Sequence, residues 1–471
     1  MIPHNHFTSG LHGLPMTKES ITLLALLVTA QAQVAVLDLT QPANYANQVI
    51  PPYIRKNNTP ATNPITNLGA TLGRVLFYDK RLSRNDTISC SSCHQQQHAF
   101  ADLATASTGV NGTTGRHSMR LVNARFGTEA KFFWDERAAS AEAQATQPIQ
   151  DHVEMGFSGT SGDPNFATLI TKLSAYEEYR VLFKGVFGDA TITEERVGKS
   201  LAQFVRSIQS FDSKYDVGRA VRNDNQAFPN FTTSENNGKQ IFLNPPPQGG
   251  AGCAGCHQPP EFDIDPLSGN NGVVGSFAGG SDFANTRSPS LRDMVSGSGT
   301  PHGGFMHNAS LTTLLAVINH YNAIPAVVTG LDNRLRQPGG GPPAPQRLNL
   351  TNTQKADLEA FLKTLTGTSV YTDQKWSSPF SPTNTLSLVV LPTTAATMTS
   401  SVNGQNIQML TLRAQGVPNV AYVFQTSTDL SAWAETPVTA TALGLLEATL
   451  PVTTGDKQMF YRFAYRPSAG N

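Results

Sequence analysis

Through most of the chain, apolar positions recur every three or four residues, the spacing of a helix with one buried face. In 194–211, EERVGKSLAQFVRSIQSF, the residues Val197, Leu201, Phe204, Val205 and Ile208 share such a face, Thr193 stands as N-cap and two Glu fill the first turn. The spacing predicts a helix there. Leu311, Leu314, Leu315 and Ile318 repeat the pattern in a helix expected at 310–321, as do Leu358, Phe361, Leu362 and Leu365, and these are read as core faces without chemistry. Pro/Gly stretches at 245–252 and 338–345 read as surface loops. Beyond about residue 380 the pattern turns to β-branched segments, 386–391, 409–413, 420–426 and 459–465, parted by turn residues. They predict a small β-sandwich. This tail has neither Cys nor His, which leaves binding, surface attachment or packing as its roles.

The apolar run 19–34, ESITLLALLVTAQAQV, follows Lys18 and ends in Ala30-Gln31-Ala32, the pattern of a cleaved signal peptide. It falls short of the roughly 20 residues a bilayer span needs. Residues 1–32 are therefore expected to be a signal peptide and the mature protein to be periplasmic or otherwise exported, with no membrane span. A length of 471 residues suggests two to four domains. Lys+Arg and Asp+Glu balance at 34 each, and 14% of residues are charged. That balance argues against a nucleic-acid partner or a polybasic membrane surface.

The four cysteines make one pattern twice, Cys90-Ser91-Ser92-Cys93-His94 and Cys253-Ala254-Gly255-Cys256-His257. C-x-x-C-H is the c-type haem attachment signature: two thiols add to the two vinyl groups of one porphyrin, and the next His supplies the proximal imidazole. With 11 His in the chain, a His after both pairs has chance odds of about 1 in 1,800. A zinc site would have to join both pairs across about 160 residues and would not need the His, and two redox dithiols would not need it either. Two covalent haems are expected. The sixth ligand separates electron transfer from catalysis, because a His/Met iron is closed to substrate and a His-only iron is open. Met306, in 304–308 GFMHN, is the best sixth ligand for the second haem, ahead of Met294, His302 and His307.

From about residue 50 to 367 the chain resembles the bacterial di-haem cytochrome c peroxidases, a family that also holds the di-haem enzymes maturing tryptophan-derived quinone cofactors. The resemblance rests on 68–93 with His94, on 132–138 FFWDERA, 141–156 AEAQATQPIQDHVEMG, 203–216 QFVRSIQSFDSKYD, the second C-x-x-C-H and FMHN. It implies a mainly α protein of two cytochrome c-like haem domains with long loops, 33–215 peroxidatic and 216–372 electron-transferring, followed by the all-β sandwich-like domain 380–471. It also implies that Cys90, Cys93 and His94 hold the peroxidatic haem, and that Cys253, Cys256, His257 and Met306 hold the electron-entry haem. Trp134 matches the Trp between the haems, and Gln144 and Glu154 match the pair lining the peroxide pocket. Met306 stands where the quinone-forming branch has Tyr.

Chemistry supports those roles: cleaving a peroxide needs a group that takes a proton from one oxygen and gives it to the other, which a carboxyl can do. Glu154 is that candidate, with Gln144 orienting the peroxide. The implied reaction reduces hydrogen peroxide to water with electrons from a small soluble cytochrome c or copper protein. Calcium between the haem domains and a homodimer are also implied. One departure stands out: 107–115 STGVNGTTG lacks the His with which many relatives cap the resting peroxidatic haem. Either that haem is open, or His117 caps it; His98 and His152 are weaker candidates. The rivals are a di-haem oxidase or oxygenase acting on a protein or organic substrate, and a non-catalytic di-haem electron carrier. An adhesive or carbohydrate-binding tail is a third possibility.

Overall fold

The computed structural model describes residues 36–337, 344–391, 396–405, 407–452 and 459–467. The expected signal peptide and most of the 338–345 loop lie outside them. Up to about residue 376 the chain is helical, and from Thr397 onward it is all-β.

The helical part repeats one plan. In the first half, helix Asn67–Tyr78 crosses helix Glu194–Ser207 around a core of Leu72, Val75, Leu76, Val197, Leu201 and Phe204. The helices approach at Gly73, where a Cβ would lie 1.9 Å from the Ser200 carbonyl oxygen. In the second half, helix Thr233–Leu243 crosses Asn352–Lys363 around Ile241, Phe242, Leu358 and Phe361. Gly238 permits this crossing too, since a Cβ there would lie 1.9 Å from the Asp357 oxygen. Thr66, Thr193, Thr232 and Thr351 cap the four N-termini, each accepting a backbone N–H from three residues on. Tyr215 already belongs to the second core.

Three expectations shift. The 194–211 helix stops at Ser207, where Ile208 turns extended and carries the buried side chain onward. The 310–321 helix runs Leu314–Asn322 from a Thr313 cap, and Leu311 is left in a bridge with Phe305. Its buried face is Leu314 and Ile318 alone. Leu315, a third of a turn away, is 42% exposed and is not core.

The tail forms two antiparallel three-stranded sheets, Ala434–Thr439, Ala421–Ser427, Phe460–Tyr465 and Leu445–Pro451, Gln408–Gln415, Thr397–Val402. The segment 386–391 is not part of them: Ser387–Val389 pairs in parallel with Val36–Asp38. Nor is the tail's core separate. Leu412, Val417, Tyr422 and Phe424 join the first-half core, and a Cβ on Gly185 would lie 3.0 Å from Val417. The Arg462 guanidinium stacks over one face of Trp433 at 3.9 Å. Between the helices and the sheets, a strap buries Val370, Trp376 and Phe380 in the first core. Gln96 donates to the Val370 and Asp373 carbonyls (3.1 and 3.0 Å), and Tyr78 donates to that of Trp376 (2.7 Å).

Candidate functional site

A cavity of about 560 Å³ opens with Cys90, Cys93 and His94 on its wall and with second-half residues such as Asp282 and Arg287 completing it. That volume suits a cofactor-sized ligand. Cys90–Cys93 form a single helical turn, so the paired thiols and the next imidazole come from one short, fixed segment. His94 Nδ1 meets the Phe100 carbonyl at 3.1 Å, which assigns the hydrogen to Nδ1 and leaves Nε2 its lone pair for a metal. Burial holds this imidazole below the usual histidine range, in its neutral, ligating form.

Facing that wall is helix Ala141–Gln150, capped by Ser140. Ala141, Gln144, Ala145 and Pro148, at i, i+3, i+4 and i+7, are its cavity face. Asp151 then accepts the N–H groups of Val153 (2.8 Å) and Glu154 (3.0 Å), turning the chain so that Glu154 also lines the cavity. Burial first, then the Asp151 charge, pushes the Glu154 carboxyl up to about 7, against a smaller pull from Arg137. The 107–115 stretch forms a small hairpin whose Val110 and Asn111 donate to the Glu154 and Val153 carbonyls (3.0 and 3.1 Å). It braces the carboxylate segment instead of offering a ligand.

Trp134 also lines the cavity and donates from Nε1 to the His117 carbonyl at 2.8 Å. The His117 N–H in turn reaches the His307 carbonyl at 2.7 Å, and the His307 ring packs edge-on to Trp134 at 6.3 Å. Trp134 is thus tied to the residue next to Met306. His117 also lines the cavity; its Nδ1 meets the Ala104 and Thr105 carbonyls (3.0 and 3.1 Å), and its Nε2 lies beside Gly303, where a Cβ would approach to 3.0 Å. His98 packs near His302, and His152 pairs with Asp163 at 2.8 Å.

Cys253, Cys256, His257 and Met306 are the residues expected to form the second site. Cys253 packs on the second core as Cys90 does on the first, so the two C-x-x-C pairs serve two sites. Burial pushes the thiols of Cys90 and Cys253 up to about 12 and that of Cys93 to about 11, the reverse of the lowered thiol of a reactive dithiol. His257 is pushed down to about 4, chiefly by burial, and its buried Nδ1 lacks a partner. A neutral imidazole and a thioether are the donor set of a His/Met haem, which His257 and Met306 could supply. The half-buried Tyr321, its phenol raised above its usual range mainly by desolvation, neighbours both Cys256 and Cys253 and also Asn271, which donates to Met306 Sδ at 3.1 Å. Of the alternatives, Met294 packs in the second core and His307 Nε2 is held by the Gly275 carbonyl at 3.0 Å. Among the described residues no group of three His, Cys, Asp or Glu side chains converges on a metal ion, so side chains outline no calcium site.

Sequence reasoning passed over Phe133, which lines the cavity beneath the Arg137 guanidinium, and Asn271. It also missed Arg116, which bridges Asp135 and Asp282 (both 2.7 Å) across the two halves. Each of these bonds sits next to a seam residue: Arg116 adjoins His117, Asp135 adjoins Trp134, and Asp282 lies 3.8 Å from His307.

Residues 67–226 match the family described as di-haem cytochrome c peroxidase. Methylamine utilization protein MauG of Methylophilus methylotrophus is 30% identical over 318 residues, covering 65% of this chain and 85% of the relative. The chain belongs to the di-haem cytochrome c peroxidase family. Membership implies two haems, matching the two C-x-x-C-H sites. Another relative, cytochrome-c peroxidase IdrP1 of Denitromonas iodatirespirans, is 26% identical over 364 residues, covering 69% of this chain and 88% of its own length. Among solved structures, a MauG-like protein associated with microbial copper homeostasis superposes with a TM-score of 0.55 at 28% identity, covering 71% of this chain and 99% of that one. The family thus spans peroxidases and MauG proteins, and this chain is similar to both.

Proposed function

We propose that the protein is an exported, periplasmic di-haem peroxidase that reduces hydrogen peroxide to two molecules of water, taking two electrons and two protons. The supporting observation is a single cavity with Cys90, Cys93 and His94 on one wall and Gln144 and Glu154 on another. The haem held by Cys90, Cys93 and His94 would supply the redox chemistry, and a second, held by Cys253, Cys256, His257 and Met306, would take electrons from a small soluble cytochrome or copper protein. The chain's own part is proton handling. The Glu154 carboxylate takes a proton from one peroxide oxygen and delivers it to the other as the O–O bond breaks, while the Gln144 amide donates a hydrogen bond that orients the peroxide. Desolvation at Glu154 tunes the carboxyl to exchange that proton near neutral pH. Trp134, fixed by His117, occupies the seam between the sites. The 107–115 hairpin carries no His and supports reading the first site as open without reduction, with His117 as the alternative cap.

Steady oxidation of a reduced small cytochrome c on adding peroxide tests this reading. Consumption of an organic or protein substrate with the cytochrome left reduced would instead establish the oxidase or oxygenase reading, which the identity to MauG favours. A five-coordinate high-spin resting EPR signal is expected from the first haem, and a purely bis-His low-spin signal would return His117 to the role of cap.

A further inference from the structure

We infer that Asn271 tunes the second haem by donating a hydrogen bond to the ligating sulfur of Met306, a role that rests on the proposed Met306 ligation. Asn271 Nδ2 lies 3.1 Å from Met306 Sδ. The orientation of the amide is fixed by chemistry: Asn271 Oδ1 accepts the Val273 N–H at 3.0 Å, so the arm facing the sulfur is the NH2 group. A thioether can only accept, so the polarity of the contact is right.

The residue is also locked in place. The Asn271 carbonyl accepts from His320 Nε2 at 2.8 Å on helix Leu314–Asn322. On one side Asn270, fully buried, donates to Asn285 Oδ1 at 2.8 Å and accepts the Gly272 N–H at 2.7 Å. On the other, Gly272 is in left-handed backbone (φ 88°), and a Cβ there would lie 3.0 Å from Ile324. Neither neighbour lets the amide swing away. Met306 is itself held at φ 71°, a strained conformation for a non-glycine residue, in a loop closed by the Phe305–Leu311 bridge. Donor and acceptor are thus both presented by rigid backbone.

A thioether sulfur has one lone pair for a metal and one to spare. A hydrogen bond to the spare pair withdraws electron density from the ligand, which disfavours the oxidised iron more than the reduced one and raises the potential. The electron-entry haem would then hold its electron more firmly than Met306 alone would dictate, which suits a site that must capture electrons from a weakly reducing donor.

The test is spectroelectrochemical titration of the holoprotein and of two donor-free variants, Asn271→Leu and Asn271→Ala. The expected result is a roughly tenfold weakening of the one-electron reduction equilibrium of the Met-ligated haem, a fall of about 59 mV. The methionine–iron charge-transfer band should persist, and the His94 haem should titrate as before. An unmoved potential in a variant that keeps this band overturns the inference, and so does loss of the band in both variants, which would make Asn271 a mere prop for the loop. Met306→Leu separates the underlying reading: if it leaves the band and the potential unchanged, Met306 is not the ligand and that assignment fails first.

Discussion

Residues 132–138 and 305–311 close in the same way, each by a bridge between its first and last residues, Phe132 with Ala138 and Phe305 with Leu311. Each loop holds its second and fifth residues in left-handed backbone, Phe133 and Glu136 in one, Met306 and Ala309 in the other. Each donates its fifth N–H to its second carbonyl, at 3.2 and 3.1 Å. Their third residues, Trp134 and His307, meet edge-on across the seam. Against this shared frame the second position differs: Met306 brings a thioether to its site, and Phe133 brings a ring without a donor atom to the other. In the proposed ligation, this one position separates a sealed second iron from an open first one. The frame itself is kept in both halves even though left-handed non-glycine residues cost of order 1–3 kcal/mol each.

The sharpest break of that comparison is Phe133→Met. With a thioether in the equivalent place, the first iron is expected to turn low-spin in EPR and peroxide turnover to drop to background. Met306→Phe should do the reverse and let cyanide perturb the second haem. Next in size is Glu154→Gln, which should lower kcat by about 10² to 10⁴ while leaving both haem potentials in place. The same residue fixes a pH profile. Its carboxyl is raised from 4.5 to about 7 in the folded chain, so below about 7 it is protonated and turnover should fall with pH. Between about 4.5 and 7 the folded state holds a proton the unfolded state has lost, so Glu154's contribution to stability is full below 4.5 and is lost as pH rises through about 7. Glu154→Gln should flatten that dependence in chemical denaturation.

Trp134→Phe keeps a ring in the seam but removes the 2.8 Å bond to His117. Slower cytochrome oxidation at unchanged potentials is expected, with a stability loss of about 1 kcal/mol. The smallest effect belongs to Arg116→Gln, which cuts the ties to Asp135 and Asp282. These groups are partly solvated, so the loss should be roughly 1 kcal/mol or less and should shrink in high salt. A thermal melt at two ionic strengths reads it.

What the sequence disclosed was local. C-x-x-C-H is legible because one short turn carries all its chemistry, and Val197, Leu201 and Phe204 are legible because a helix repeats. Gln144 and Glu154 were reached through resemblance, and geometry then placed them on the same cavity. The paired loops stayed hidden because their left-handed positions carry Phe, Glu, Met and Ala instead of the Gly that usually marks such backbone. A Phe opening both FFWDERA and FMHNASL was the available hint. Segment 386–391 was misassigned to the sandwich because its partner, Val36–Asp38, lies some 350 residues away, and a strand's pattern does not say which edge it will join. Leu315 was misread for the opposite reason, an apolar residue just beside a narrow buried stripe.

The strap between the helices and the sheets bears on the order of assembly. The Gln96 amide, in the loop whose Phe100 carbonyl orients His94, waits for carbonyls at 370 and 373, and the strand at 36–38 waits for 387–389. During synthesis the N-terminal Cys pair emerges first, yet the carbonyls and the strand that complete its surroundings emerge last. The first Cys pair's surroundings thus depend on contacts from the far end of the chain, which the second pair's core does not use. Loss of the C-terminus would accordingly unsettle the remote, N-terminal prosthetic group ahead of the nearer one.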